Sequence, residues 1–337
     1  MKLKNIPRKY ESRQRLMARA AGFTMIELMI AIGMGLAIIS GLAGMLASTS
    51  SSSKTNDRTS ELQTNGVYAL NAIKQDLRQA GYRGYTWAEP NTVSTALGTI
   101  SGECGDGTGA FISNLRQGIW GANDSNPFSA NCIPDKTGAA GGDVLVVRRL
   151  DGTSVATPVA NTLYFRSTYN TGEMFRGATP PATVASDVVP LGNFPVQASV
   201  YYVRPYTTAA TESPLVPALY RVALLSNGSM ARELVTSNIE QMQLQYGRVT
   251  TALDTRYFDS FTAANCPSCS LDTGAATTST PTVWDEVNSV RIWLLVRSAM
   301  PEPGYVNNTS YVMGDTTYAV NDNYRRQLLT SVVQLRN

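Results

Sequence analysis

The sequence predicts an α+β fold: a long N-terminal α-helix, transmembrane in its first half and amphipathic in its second, packed on an antiparallel β-sheet head with loop-rich insertions. Three observations carry that prediction. Phe23 to Ala47 is mostly apolar, has Glu27 as its only ionisable side chain and holds no Pro, Lys, Arg or Asp; about 20 such residues cross a bilayer as a helix. Leu62, Gly66, Ala69, Leu70, Ile73, Leu77 and Ala80 then recur at spacings of three and four, one face of an amphipathic helix. From Asp143 onward, β-branched and aromatic runs alternate with turn residues, the signature of strands.

Residues 1–22 come first as a basic, unfolded leader. Lys2, Lys4, Arg8, Lys9, Arg13, Arg15 and Arg19 against Glu11 give it +6, and the whole chain is +3, so everything after it is −3. Lys and Arg flanking a spanning helix stay on the cytoplasmic side, which places this end in the cytoplasm and the head outside. A mildly acidic head lacks the basic footprint that nucleic-acid binding requires.

The span, 23–47, carries an anomaly. A carboxylate in a membrane helix costs about 2.5–3.5 kcal/mol at the centre, and something has to offset the charge of Glu27. Glu27 lies one turn beyond Phe23, so cutting between Gly22 and Phe23 would create an ammonium group beside this carboxylate or beside that of a neighbouring copy. Gly33, Gly35, Gly41 and Gly44 lower helix propensity in the span while permitting close helix packing.

Gly22 followed by Phe23-Thr24-Met25-Ile26-Glu27-Leu28 resembles the cleavage site of type IV prepilins. The resemblance implies a pilin-like fold, cleavage after Gly22 by a prepilin peptidase, methylation of the new N-terminus at Phe23, and a role for Glu27 in neutralising the terminal amine of an adjacent subunit. An ordinary secretory signal has an apolar region of about 7–15 residues without an acid, and a plain membrane anchor with Glu27 near one interface is the simpler rival.

Residues 48–84 form the amphipathic half of the helix, with Lys74, Asp76 and Arg78 on the polar side and Gly81 and Gly84 as the stop. The serine-rich stretch Ser48–Ser53 either breaks the helix or lies within a continuous rod from Phe23 to Ala80, about 87 Å long at about 1.5 Å per residue. Residues 85–142 are rich in Gly, Ser, Thr, Asn and Pro and read as a loop region; Gly102–Gly109 and Gly138–Gly142 are turns, since neither run ends in Gly-Lys-Ser/Thr. Four cysteines in an oxidising compartment allow three connectivities. The simplest scheme joins Cys104 to Cys132 and Cys266 to Cys269, which close the shortest loops. A redox reading of Cys266-Pro267-Ser268-Cys269 lacks a βαβ setting.

Residues 143–337 are the β-rich head. Strands are expected at Asp143–Leu150, Leu163–Arg166, Gln197–Arg204, Leu219–Leu225, Met242–Tyr246 and Val290–Arg297, with another in the closing Tyr324–Asn337. Glu233–Ile239 reads as a short helix or turn, and Asp272–Thr282 as a flexible insertion. The strands at 143–150 and 290–297, with Arg325-Arg326 and the terminal Leu335-Arg336-Asn337, resemble the PilW type of minor pilin. Arg325 and Arg326 themselves fit a docking patch or, more simply, a solvated strand start.

Histidine is absent, which removes the usual general base and the commonest metal ligand. Neither a calcium loop nor a dinucleotide fingerprint is present, although Asp254 and Asp259 form a weak calcium candidate. No catalytic residue, cofactor or metal is expected, and the chain reads as the substrate of an enzyme, not an enzyme. The expected role is a minor pilin in the assembly or priming of a type IV pilus, including its tip complex. The implied partners are the prepilin peptidase, other major and minor pilins, the inner-membrane assembly platform, a tip adhesin and membrane lipid. The expected location is single-pass in the inner membrane with a periplasmic head, then the filament. A J-type pseudopilin of type II secretion shares the same plan, and a membrane-tethered exported binding protein is the rival without filaments.

Overall fold

A computed structural model describes residues 22–86, 97–105, 107–128, 132–182, 189–249, 254–266 and 282–335. The leader up to Ala21 and the insertion expected at Asp272–Thr282, apart from Thr282, lie outside these residues. The chain divides into two compact units, Met1–Asn56 and Asp57–Asn337.

In the first unit the described chain is the N-terminal part of helix α1 (Met25–Arg78). Every large apolar side chain from Phe23 to Leu46 is exposed, and the helix is long and apolar enough to cross a membrane. Water is a poor medium for such a surface; lipid or neighbouring helices satisfy it.

The serine-rich stretch does not break α1. Hydroxyls close to it and on both sides bond back to the preceding turn: Ser40 Oγ donates to Ala37 O (2.9 Å), Thr49 Oγ1 to Met45 O (2.9 Å) and Thr64 Oγ1 to Ser60 O (2.8 Å). Back-bonding of this kind satisfies the hydroxyl without diverting the backbone N–H groups from the helix. The helix ends at Arg78, and Gly81, with φ of 74°, turns the chain out of it and donates its N–H to Arg148 O at 3.0 Å.

In the second unit the helix buries Leu62, Gly66, Ala69, Ile73, Asp76 and Leu77. All but one belong to the predicted stripe. Asp76 is the correction: it was expected on the polar side, yet only 5% of it is exposed. It follows Ile73 by three residues and precedes Leu77, so it flanks the stripe closely enough to be drawn in once basic partners meet it.

The strands are β1 (Ile119–Ala122), β2 (Val144–Leu150), β3 (Leu163–Ser167), β4 (Gly172–Arg176), β5 (Gly192–Arg204), β6 (Ala218–Leu224), β7 (Met230–Ser237), β8 (Ile239–Val249), β9 (Thr255–Phe258), β10 (Val287–Arg297), β11 (Ser310–Met313), β12 (Thr316–Ala319) and β13 (Arg326–Gln334). Short helices lie at Ala110–Ser113 and Val283–Glu286. One sheet runs β1-β2-β5-β3-β4, with β6 and then β7 attached along β5; a second runs β13-β10-β8-β9; β11 and β12 form a separate hairpin. All pairings between these strands are antiparallel.

β5 is the hub of the first sheet. Its start pairs with β3, its middle with β2 and its end with β6, which accounts for its reaching further back than the predicted Gln197. The expected helix or turn at Glu233–Ile239 is instead strand, the end of β7 and the start of β8, separated by Asn238 in the left-handed region at φ of 73°.

The inner face of the second sheet packs on α1. A Cβ built on Gly66 would stand 2.4 Å from Leu329 Cδ1 and 2.8 Å from Val296 Cγ2, so glycine there sets how closely helix and sheet approach. The outer face is not left to solvent either: Gln243 is 1% exposed and donates to Asp124 Oδ1 at 2.9 Å, and the turn of the β11–β12 hairpin, at Gly314, lies over Trp293 and Gln245. The loop-rich region adds Leu97, Ile100, Phe111, Ile112, Leu115, Ile119, Trp120 and Ile133 to the same core.

Candidate processing and assembly site

Gly22, Phe23 and Thr24 precede the helix in non-helical conformation and are exposed. Nothing lies within 4 Å of a Cβ built on Gly22, and Phe23 is 88% exposed. Both residues of the Gly22–Phe23 peptide are thus exposed.

The helix begins on a reciprocal cap. Thr24 N donates to Glu27 Oε2 at 3.0 Å, Thr24 Oγ1 donates to the same oxygen at 2.9 Å, and Glu27 N donates to Thr24 Oγ1 at 3.3 Å. Leu28 N donates to Thr24 O at 3.2 Å, the first bond of the helical ladder. This is a capping box, in which Thr and Glu three apart satisfy two N–H groups that the first turn leaves unpaired. Sequence reasoning treated Glu27 only as a charge needing a countercharge; the Thr-x-x-Glu signal ahead of an apolar run was present and missed. The carboxylate also faces the positive end of the helix dipole, which favours it there.

Cys104 and Cys132 are joined, with Cα atoms 5.1 Å apart, and both are buried. Cys266 is buried and disulfide-bonded; its expected partner, Cys269, lies outside the described residues. Asp254 and Asp259 do not converge: Arg256 Nε donates to Asp254 Oδ2 at 3.2 Å, whereas Gln245 Nε2 donates to Asp259 Oδ1 at 2.8 Å.

Two ionic clusters fix the helix and the last strand to the head. Asp76 Oδ1 accepts from Arg149 Nε (3.2 Å) and Nη2 (3.0 Å), Asp76 Oδ2 accepts from Tyr201 Oη (2.6 Å), and Arg221 lies 3.9 Å away. Burial and the Asp76 charge push the Tyr201 hydroxyl well above its ordinary pKa, so it stays protonated as a donor. Nothing in the pattern around Asp76 foretold this pairing, because all three partners come from distant strands.

The second cluster corrects the reading of Arg326, which is buried and not a solvated strand start, whereas Arg325 keeps 30% of its side chain exposed. The Arg326 side chain is 2% exposed; it donates to both oxygens of Glu240 and, at 2.7 Å, to both of Asp322. Arg297 joins it on Glu240 at 3.3 Å. Arg325 pairs with Glu302 and stacks over Tyr305, 4.4 Å from the ring centroid. Arg58, on the helix, reaches the same Glu302 at 3.3 Å. The hydrogen bonds from Arg326 hold Asp322 below the usual carboxylate range, and those from Arg325, with Arg58 behind them, do the same for Glu302.

Comparison with curated proteins and with solved structures found no match. Residues 200–337, which contain β8, β10, β13 and the Arg326 cluster, match the family model described as Type IV Pilus-assembly protein W. With the long apolar N-terminal helix, this match supports a PilW-type pilus protein, one involved in type IV pilus assembly.

Proposed function

We propose that the chain is a minor pilin that helps to assemble or prime a type IV pilus and contributes to its tip complex. A prepilin peptidase removes the leader after Gly22 and methylates Phe23. The helix holds the subunit in the inner membrane with the head in the periplasm until the assembly platform passes it into the filament beside other pilins. The chain acts by packing, not by catalysis.

One observation carries the reading. An exposed Gly22–Phe23 peptide sits directly before a capped apolar helix whose only ionisable side chain up to Ala47 is Glu27, in a chain whose 200–337 region matches a pilus-assembly family. In the free subunit Thr24 partly satisfies the carboxylate but leaves its charge uncompensated. After cleavage, the ammonium of a neighbouring subunit would supply the missing charge.

Intact mass spectrometry of the native protein tests this directly. The expected mass is that of a chain beginning at Phe23 and carrying one methyl group; a native chain still beginning at Met1 would refute the reading.

A further inference from the structure

Among the described residues β13 forms one edge of the second sheet and pairs on one side only, with β10. Leu335 N donates to Asn288 O, and Arg325 O accepts from Ser298 N. This fixes the alternation: odd-numbered residues turn their backbone groups towards β10, and Leu328, Thr330, Val332 and Gln334 turn theirs outward.

Gln327–Gln334 reads Gln-Leu-Leu-Thr-Ser-Val-Val-Gln, and its pairing with β10 has no register shift. Strands that must remain at an edge are protected by Lys, Pro, bulges or inward charges. Past the buried Arg326, the run Gln327–Gln334 has none of those, and Val332 is 48% exposed.

Helix α1 runs alongside. Gly66 abuts Leu329, and further on Asn71, Lys74, Gln75, Arg78 and Gln79 face Val332–Leu335 across a groove. Helix and strand therefore advance in the same direction. The two charged residues lining this groove are both cations, and neither has an ion-pair partner among the described residues.

We propose that an extended segment of another pilus subunit adds as a further strand along the free edge of β13, with carboxylate side chains directed at Lys74 and Arg78. Main-chain hydrogen bonds to Thr330, Val332 and Gln334 provide the attachment, and the basic helix wall selects an acidic strand. A second copy of this chain does not fit. Antiparallel β13–β13 pairing would reverse the two helices, although subunits inserted by one leader point the same way; parallel pairing would set two Lys74–Arg78 walls against each other.

This inference rests on the pilus reading, and the experiment separates the two. The probe is p-benzoylphenylalanine placed at position 332 of the full-length chain, photolysed in the cells that make it, with the adduct identified by peptide sequencing and the intact mass of the chain measured in parallel. The expected adduct is with an Asp- or Glu-containing segment of a different pilus subunit. Thr330→Pro removes one outward N–H while sparing the β10 ladder, and should lower the adduct yield about tenfold, as should the double reversal Lys74→Glu with Arg78→Glu. Should Thr330→Pro lose its thermal unfolding transition, the two surface reversals carry the test. An adduct with a second copy of this chain, with lipid only, or unchanged by the charge reversals overturns the docking inference, as does no adduct. A chain still beginning at Met1 fails the pilus reading and this inference with it; a processed chain with no acidic-strand adduct fails this inference alone.

Discussion

Glu27→Gln and Thr24→Ala separate two tasks that one carboxylate can perform. The capping box needs an acceptor three residues after Thr24, and Gln supplies one; Glu27→Gln therefore keeps the bond now made by Thr24 N at 3.0 Å while removing the charge. Thr24→Ala keeps the charge and removes the two bonds through Thr24 Oγ1. Losing the cap costs about 1 kcal/mol of helix stability. That frays the first turn roughly fivefold and leaves the apolar span able to insert. Leaving a buried ammonium without its carboxylate costs about 3–5 kcal/mol, which lowers an assembly constant by roughly a hundredfold or more. Glu27→Gln should thus nearly abolish the chain in sheared pili while leaving its amount in the membrane fraction unchanged, and Thr24→Ala should reduce it by less than about tenfold. The assay is an immunoblot of sheared and membrane fractions. Wild-type assembly by Glu27→Gln would refute the electrostatic role, and equal damage from both variants would reassign the carboxylate to capping alone.

Asp76→Ala leaves Arg149, largely buried, and Tyr201 without their acceptor; it should cost about 2–4 kcal/mol, with the residual exposure of Arg149 and Arg221 holding it below a fully buried pair, and thermal unfolding of the full-length chain in detergent checks this. Gly66→Ala gains up to about 1 kcal/mol in helix propensity but meets Val296, which is buried and β-branched, and Leu329; overpacking costs about 1–3 kcal/mol, so the midpoint should fall, and a rise would show that the two side chains make room. Asp143 is 1% exposed, and burial raises its pKa to about 8 against the pull of two N–H groups, from Asp124 and Leu244, with the charges of Asp124 and Asp315 raising it further. The folded pKa lies above the ordinary value, so the stability this group confers is full below about pH 4 and is lost as pH rises towards 8. Asp143→Asn should flatten that part of the stability–pH profile, and an unchanged slope would exclude Asp143 as its source.

The elements legible in the sequence were those whose pattern is local. The stripe from Leu62 to Leu77 could be read because helix periodicity is set by residues a few positions apart, β2 and β10 because their β-branched runs are dense, and β8 because Met242, Leu244 and Tyr246 alternate with Gln243 and Gln245. β7 was misread because Met230–Ser237 does not alternate: Arg232 and Glu233 are adjacent, as are Leu234 and Val235, and without a period of two the stretch passes for a turn. The loop-rich region hid its contribution to the core for a related reason. Phe111, Ile112, Leu115 and Trp120 follow no period, and they are buried because the chain folds around them, not because one regular face is apolar. Glu27 shows the opposite failure. Its capping signal was local and plain, but attention went to the cost of the charge.

The two arginines at the start of β13 show how far charge in a sequence can mislead about where a surface is sticky. Arg325 and Arg326 stand together at the start of the last strand, yet Glu302, Glu240 and Asp322 take up both, and Arg58 draws the helix into the same network. Removing a guanidinium from water is costly unless its donors are met, and Arg326, at 2% side-chain exposure, has Glu240 and Asp322 to meet them. These cations are engaged at the base of β13, Arg326 completely and Arg325 with part of its side chain still exposed. The neutral run that follows has the opposite character: its side chains carry no charge, while every second residue presents backbone groups away from β10. An arginine pair that locks the strand at one end and a helix with two unpaired cations at the other leave a rigid, unprotected edge between them. A rigid edge is what strand addition requires, because the ordering cost is then borne only by the incoming segment.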